Sequence, residues 1–275
     1  MTLFLNHALA KELEADLREG NQKVVDAWRT FPSEIIVETL RVEDALAIYT
    51  GPDSPINEVV GLGMTSPVSE DTLERIEQFY ASYDQPTKIR VCPLADASLL
   101  TALSARGYRL TEFTYRWILD LATWQSPFFD VDDRVRGTDA FDEIIWSRTV
   151  AAGFLEMDVL PVDERIDLER AFFRIPSGFP VIAFDQGKAA AAGMMVISGS
   201  LATLFATSTI PSFRGRGLQS ALLDWRLRYA KSQGARLATI ETEPGSASQR
   251  NVERMGFHLA YVIAEMEHAV SPISK

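Results

Sequence analysis

The stretch Thr209-Ile210-Pro211-Ser212-Phe213-Arg214-Gly215-Arg216-Gly217-Leu218-Gln219-Ser220-Ala221-Leu222-Leu223 joins a strand-forming segment to a helix-forming one. Residues 201–208, which precede it, are rich in strand formers. Leu218 and Leu222 begin an apolar pattern at helical spacing. The two glycines between these segments are therefore predicted to form a strand-to-helix turn.

The glycine loop, residues 214–217, is predicted to bind an anion. Glycine lets the backbone approach a ligand closely, and the first N–H groups of a helix have no acceptor within the helix. Such helix starts bind phosphate groups. Arg214 and Arg216 add two guanidinium groups, which suit a diphosphate better than a single carboxylate. The loop therefore predicts a pyrophosphate site, and the alternative is a plain capped turn on a basic surface.

The composition is that of a globular protein. The chain has 275 residues, of which 47% are hydrophobic, and this is enough for one large or two ordinary domains. Its formal charge of −11 argues against nonspecific binding to nucleic acid or to anionic membranes. Cys92 is the single cysteine, which excludes an internal disulfide and agrees with a reducing compartment. Neither a secretory signal nor a membrane-spanning run is recognisable, so we expect a cytoplasmic protein, monomeric or homodimeric.

The second half of the chain is predicted to contain strands and helices in a definite order. We place a domain boundary near an acidic stretch, which gives domains of residues 1–125 and 126–275. Two helices follow, the first capped by Thr138 or Asp139 and the second over residues 162–173. An antiparallel meander, the glycine loop with its helix, and a strand, a helix and a last strand come next, with the strands at 179–184, 189–197, 201–208, 237–241 and 257–266 and the last helix at 246–255.

The loop sequence Arg214-Gly215-Arg216-Gly217-Leu218-Gln219 resembles the acyl-CoA loop of the GNAT superfamily of N-acetyltransferases, Arg/Gln-x-x-Gly-x-Gly/Ala. It departs from this family at Gln219, where a small residue is usual. Residues 248–257, which end in Gly-Phe, resemble the family's second motif, a helix beside the pantetheine arm. The predicted element order is also that of the family. The resemblance implies an α/β protein with a mixed, mostly antiparallel central sheet flanked by helices.

The resemblance also implies acetyl-CoA as the co-substrate, without a metal. The residues expected to bind it are those of the loop and its flanks together with one on the later helix: Thr209, Ile210, Arg214, Gly215, Arg216, Gly217, Leu218, Gln219, Ser220 and Asn251.

The family resemblance implies direct attack of an amine on the thioester within a ternary complex. Backbone N–H groups near residues 207–210 would polarise the carbonyl. We expect Glu241 to be the general base, with Glu243 as the second choice, although a solvated acid is equally common at a strand end. Val252 occupies the position of the family's usual tyrosine acid. Tyr261 or water then substitutes, or the thiolate leaves unaided.

The first half of the chain resembles a second copy of the same fold. A shift of 149 positions aligns Gly107-Tyr108-Arg109-Leu110 with Gly256-Phe257-His258-Leu259. In this register Ser69-Glu70-Asp71 occupies the helix start, where two carboxylates would repel a pyrophosphate. We therefore expect two tandem folds with a degenerate N-terminal copy that does not bind CoA. The alternative is a chance likeness between strand-helix-strand units.

These observations predict an N-acetyltransferase that acts on a primary amine of a small molecule or peptide. Two alternatives remain open. One is a CoA-binding sensor or scaffold without turnover, suggested by Val252. The other is an acyltransferase that uses a longer acyl-CoA. Aromatic residues on the two helices before the meander are expected either to line the acceptor site or to form core, namely Trp146, Phe154, Phe172 and Phe173.

Overall fold

The computed structural model describes residues 5–161 and 166–269. Within them the chain forms two compact units. Unit 1 holds the residues up to Tyr115 and those from Tyr261 onward, and unit 2 is Arg116–Ala260. Both divisions fall inside strands. The boundary near residue 126 remains a prediction about how the sequence divides into domains.

Unit 1 begins with one long helix and continues as a small sheet with two more helices. The first helix, α1, runs for 22 residues. The elements are α1 (His7–Trp28), β1 (Glu38–Val42), β2 (Ala45–Tyr49), β3 (Val59–Val60), α2 (Glu70–Ala81), β4 (Thr87–Val91), α3 (Ala97–Ala105) and β5 (Arg109–Asp120). Asn6, Ser69 and Asp96 start the three helices, and each side chain accepts a hydrogen bond from a backbone N–H of the first turn.

Unit 2 contains the meander, the glycine loop and the last strand in the predicted order. Its elements are β6 (Val135–Gly137), α4 (Glu143–Phe154), α5 (Asp167–Phe173), β7 (Val181–Asp185), β8 (Lys188–Ser198), β9 (Leu201–Thr209), α6 (Leu218–Ser232), β10 (Leu237–Thr242), α7 (Ala247–Arg254) and β11 (His258–His268). Asp139 caps a short 3-10 turn before α4 and forms a capping box with Asp142. The first residues of the predicted 162–173 helix, 162–165, lie outside the described residues.

The sheet strands are mostly antiparallel, as the sequence predicts. The strand order is β1-β2-β3-β4-β11-β5 in unit 1 and β5-β10-β9-β8-β7-β6 in unit 2. β3 pairs parallel with β4, and β9 pairs parallel with β10, whereas the hairpins β7/β8 and β8/β9 are antiparallel. Gln186 and Gly187 both have positive φ at the β7/β8 turn, which is the geometry of a tight hairpin.

The pairing of β9 with β10 ends before either strand does. It runs from Leu201↔Leu237 to Leu204↔Ile240, although β9 continues to Thr209 and β10 to Thr242. Each strand therefore presents an unpaired edge to the other beyond this point. The segment from Phe205 to Thr209 borders the resulting cleft.

The two halves of the chain end with the same series of elements. The first half has α2, β4, α3 and β5, and the second half has α6, β10, α7 and β11. Gly107 and Gly256 both follow the second helix of their series with positive φ, as helix-ending glycines do. In the described part of the chain, no helix is long and apolar enough to cross a membrane.

Candidate active site

The glycine loop makes the turn from β9 to α6 that the sequence predicts. Gly215 and Gly217 have φ of 77° and 79°, a left-handed conformation that other residues adopt only at a cost. Gly217 is the N-cap of α6, and no side chain caps this helix start. A Cβ at either glycine would meet no atom within 4 Å, so the backbone here is open to a ligand.

The main chain of the loop supplies a row of unused donors. In the described residues, no acceptor pairs with the N–H groups of six consecutive positions, 215–220. The first backbone bond in this region is from the Ala221 N–H to the Gly217 carbonyl. Unused N–H groups at a helix start carry partial positive charge. This arrangement can hold the oxygens of a diphosphate.

Both loop arginines are engaged by carboxylates of the protein. The Arg214 guanidinium makes two 2.7 Å bonds to the Glu156 carboxylate and also donates to the Thr209 carbonyl at 3.2 Å. Arg216 pairs with Asp185 and lies 5.2 Å from the Phe213 ring centroid. Both guanidinium groups therefore lie at the loop, as predicted. To bind a diphosphate, each would first have to release the carboxylate that it contacts.

Gln219 does not crowd the loop, although it departs from the family pattern. Its side chain lies between α6 and α7, where its carbonyl accepts a 2.7 Å hydrogen bond from the Asn251 amide. Its own amide lies 3.4 Å from the Ser248 hydroxyl. Gln219 thus ties the two helices together. Asn251, which was expected to bind the cofactor, has one of its donors engaged by Gln219.

The edge of β9 offers a further donor to the cleft. The Ile210 N–H is taken by the Ala190 carbonyl of β8, so it is not available to a ligand. Successive backbone groups of a strand point to opposite sides. The N–H of Thr209 therefore points toward the unpaired edge that faces β10. Of the two predicted residues in this segment, Thr209 rather than Ile210 can donate through its backbone.

Arg226, a buried arginine that was not predicted from the sequence, supports a bulge in β9. The register of β8 with β9 shifts between Ala192 and Met194, and Ala206 has a positive φ of 46°. Arg226 of α6 is fully buried and donates to the Met194 carbonyl at 2.9 Å and to the Thr207 hydroxyl at 2.8 Å. Burial lowers the pKa of Arg226 to about 9, so the guanidinium stays charged at neutral pH. Its position on the apolar face of α6, eight residues after Leu218, was the available signal.

The predicted catalytic residues occupy three different environments. Glu241 forms an ion pair with buried Arg116, whose guanidinium lies 2.6 Å away. Glu243 is exposed just after β10. Tyr261 belongs to unit 1, where its hydroxyl donates to Glu14 at 2.7 Å. Unit 2 therefore brings Glu241 and Glu243 to the end of β10 and does not contain Tyr261, and all three roles remain predictions.

An acidic residue on α5, Glu169, is also buried. Glu169 is 8% exposed, and its Oε2 has no hydrogen-bond partner among the described residues. Burial and, to a smaller extent, the nearby Asp167 carboxylate raise the pKa of Glu169 to about 7, although a hydrogen bond from its own backbone acts in the opposite direction. The sequence offered no signal for it, since an acid on an amphipathic helix is ordinarily solvated.

Residues 140–257, which lie in unit 2, match the model of the acetyltransferase (GNAT) family. Curated proteins give no match to the sequence. Solved structures resemble nearly the whole chain. A GCN5-related N-acetyltransferase from Kribbella flavida is 14% identical with a TM-score of 0.62, and the similarity covers 94% of this chain and 97% of that one.

Two further structures give the same result. A tandem GNAT protein from the clavulanic acid biosynthesis pathway is 12% identical, with a TM-score of 0.60 over 94% of this chain and 98% of its own. A GCN5-related N-acetyltransferase from Sphaerobacter thermophilus is 14% identical, with a TM-score of 0.58 over 86% and 76%. At these identities the similarity shows the fold.

Proposed function

Because residues 140–257 match the acetyltransferase (GNAT) family, we propose that this chain transfers an acetyl group from acetyl-CoA to a primary amine of a small molecule or peptide. The family supports acyl transfer from an acyl-CoA. The acetyl group, the amine and the direct attack described below are our proposal.

The observation that carries the proposal is the row of unpaired N–H groups at positions 215–220. A diphosphate supplies enough oxygen acceptors for such a row, whereas a single carboxylate does not. Arg214 and Arg216 lie beside it and would pair with the phosphates once Glu156 and Asp185 release them. The pantetheine arm would then follow the edge of β9 along the cleft.

The reaction would take place where β9 and β10 no longer pair. The N–H of Thr209 and its neighbours would hold the thioester carbonyl and stabilise the negative charge that develops on its oxygen. The amine nitrogen forms a bond to the carbonyl carbon, and the bond from carbon to sulfur breaks. The Tyr261 hydroxyl donates to Glu14 and Val252 has no proton to give, so we propose that the thiolate takes its proton from the amine, directly or through water.

The test compares two replacements of Gly217. An Asp at this position places a carboxylate among the donors that would hold the diphosphate, whereas an Asn has the same shape without the charge. Both residues tolerate a left-handed backbone, and a side chain there meets no other atom within 4 Å. We expect Gly217→Asp to abolish acetyl-CoA binding, measured by calorimetry, with the protein still folded.

Gly217→Asn is expected to retain most of the affinity. Binding of acetyl-CoA to Gly217→Asp with wild-type affinity would refute the assignment. Release of free thiol in the presence of amines then separates an enzyme from a sensor, because a sensor binds the donor without turnover. Comparing longer acyl-CoAs in the same assay tests the remaining alternative.

We propose that unit 1 is a degenerate copy that does not bind CoA. Its α2 starts at Ser69, whose side chain accepts the Thr72 N–H that an anion would need. Glu70 and Asp71 lie in the first turn, and Glu70 pairs with Arg106. The helix start is thus negatively charged and capped by its own side chain, in contrast to that of α6.

A further inference from the structure

Among the described residues, one carboxylate oxygen of Glu169 has no partner, although the side chain also accepts a hydrogen bond from its own backbone. A buried carboxylate is ordinarily paired with a cation or with several donors, because an unpaired charge is costly to bury. Glu169 Oε2 has neither among the described residues. Its helix neighbour Arg170 pairs instead with Glu143 at 2.9 Å. An unpaired acceptor in the interior indicates a place for a donor that is not part of the protein.

The position of Glu169 on α5 directs it toward the cleft region. Phe172 follows three residues later and so lies on the same face of the helix. The Phe172 ring packs edge-on against Phe205, with 5.5 Å between centroids. Phe205 is the first β9 residue beyond the last pair with β10, Leu204↔Ile240. Through Phe172, the face of α5 that carries Glu169 therefore contacts β9 where the cleft opens.

Among the described residues near Glu169 on α5 and α4, the other acids are paired with arginines. On its own helix, Asp167 raises the pKa of Glu169 and lies 3.7 Å from Arg170. The helix packed against α5 is α4, whose charged residues are Glu143 and Arg148. Glu143 is occupied by Arg170 and by Arg174, each at 2.9 Å. β9 contributes no charged side chain to this face.

We propose that Glu169 receives the ammonium group of the acceptor and takes a proton from it, and that the acceptor is a primary amine with an aromatic or apolar substituent. This inference rests on the proposed function. The carboxylate matches the charge of the amine, and the half-buried rings of Phe172 and Phe205 match an apolar group attached to it.

The proton balance of the step is simple. The ammonium gives one proton to Glu169 Oε2 and becomes a neutral amine, which can attack the thioester. When the new bond to the carbonyl carbon forms and the bond to sulfur breaks, the second proton of the nitrogen goes to the thiolate. Glu169 then returns its proton to water. A carboxyl group with a pKa of about 7 is well matched to this role at neutral pH.

The experiment uses 2-phenylethylamine as the acceptor probe with acetyl-CoA and the full chain. Free thiol release is measured from pH 6 to pH 9 for the wild type and for Glu169→Gln, with ethylamine as the probe that lacks a ring. Glu12→Gln, the same change at an exposed site on α1, is the control. Acetyl-CoA affinity is measured for every variant.

We expect the wild-type kcat for 2-phenylethylamine to rise with pH through about 7, because the carboxylate form acts as the base. Glu169→Gln should lower kcat by 100-fold or more, lose this rise and keep the acetyl-CoA affinity. Glu169→Asp should restore part of the rate and the pH dependence. A merely structural role would not produce a change in the pH profile. Ethylamine should react less efficiently than 2-phenylethylamine.

Each contrary outcome has a distinct meaning. Wild-type rates and pH profile in Glu169→Gln would overturn the role of this carboxylate. Loss of folding or of acetyl-CoA binding in both Glu169→Gln and Glu169→Asp would show it to be structural and would also overturn it. If the wild type binds acetyl-CoA but does not acetylate 2-phenylethylamine, the acceptor class is wrong and the donor site stands. If the wild type does not bind acetyl-CoA, the proposed function itself fails.

Discussion

Glu169 should make the protein less stable as the pH rises. Its pKa in the folded chain is about 7, above the reference value of 4.5, so the folded state holds a proton that the unfolded state has released. Stability is therefore lost as the pH increases from about 4.5 through 7. Since a tenfold change in an acid dissociation constant corresponds to about 1.4 kcal/mol, the total loss is roughly 3 kcal/mol.

Glu169→Gln should remove this part of the pH dependence. Urea unfolding of both proteins at pH 5 and at pH 8 measures this effect. The free energy of unfolding of the variant minus that of the wild type should be larger at pH 8 than at pH 5. An equal difference between the two proteins at both pH values would contradict the expectation. A variant that gains stability and loses turnover shows that the carboxylate is retained for chemistry.

Gly193 gives Arg226 the space it needs beside the bulge. An added Cβ would lie 2.9 Å from the guanidinium Nη1 and 3.0 Å from the Thr207 hydroxyl, and this guanidinium is fully buried and hydrogen-bonded. Gly193→Ala should therefore destabilise the protein by about 1–3 kcal/mol. Gly137→Ala is the control, because its nearest contact is Trp225 at 3.5 Å, an ordinary packing distance. Thermal unfolding that is equal for both variants would count against the tight fit.

At the residue scale the sequence predicts the loop but not its partners. The glycines and arginines stand together in the chain, so their local pattern is visible. Glu156 reaches Arg214 across 58 positions, and Arg116 reaches Glu241 across a longer interval, so no local pattern shows either pair. Glu169 was missed for a different reason, because its burial depends on how α5 packs.

Two acidic residues in the connection that follows α4 contact the glycine loop and the residues just before it. Glu156 has a positive φ of 54° and pairs with Arg214, which lowers the pKa of Glu156. Asp158 accepts a 2.8 Å hydrogen bond from the Ser212 N–H. The two carboxylates thus engage the Arg214 guanidinium and the Ser212 N–H, which lie beside the proposed diphosphate site. The connection therefore competes with the donor for the loop.

Glu156→Gln should strengthen acetyl-CoA binding several-fold. The amide cannot form the paired charge contact with Arg214, so the guanidinium is available to the diphosphate without an exchange. Calorimetric titration of the variant beside Glu12→Gln, which changes an exposed acid on α1, measures the effect. Unchanged or weaker binding would mean that Arg214 does not contact the donor.

Most elements could be predicted because their signals are local. Hairpin turns, alternating apolar residues and helix caps marked the meander, α2 and α7 at nearly their observed bounds. The bulge at Ala206 and the early end of the β9/β10 pairing could not be predicted in this way. Both depend on Arg226 and on the register between strands, which are properties of the packed sheet.

Unit 2 depends on residues that precede the predicted domain boundary. The Trp117 indole donates to the Thr242 hydroxyl at 2.9 Å, and the Trp124 indole donates to the Met255 carbonyl at 2.9 Å. Both rings are buried, as is Arg116 beside Glu241. The acidic stretch marks the predicted boundary in the sequence, whereas these contacts decide which residues belong to the compact unit.

A fragment of residues 116–275 should therefore be much more stable than one of residues 126–275. The shorter fragment loses the burial of two indoles, each about 2–3 kcal/mol, together with their hydrogen bonds, about 1 kcal/mol each. That loss is comparable with the whole stability of an ordinary domain. Far-UV circular dichroism with thermal unfolding compares the two, and indistinguishable transitions would contradict this dependence.

The six unpaired N–H groups at positions 215–220 also affect how this protein must be assayed. Sulfate and inorganic phosphate carry the same kind of oxygen acceptors as a nucleotide, and at the concentrations of ordinary buffers and precipitants they will compete for these groups. Apparent dissociation constants for the donor should then increase with the oxyanion concentration. Titrations in solutions free of such salts will give the intrinsic affinity.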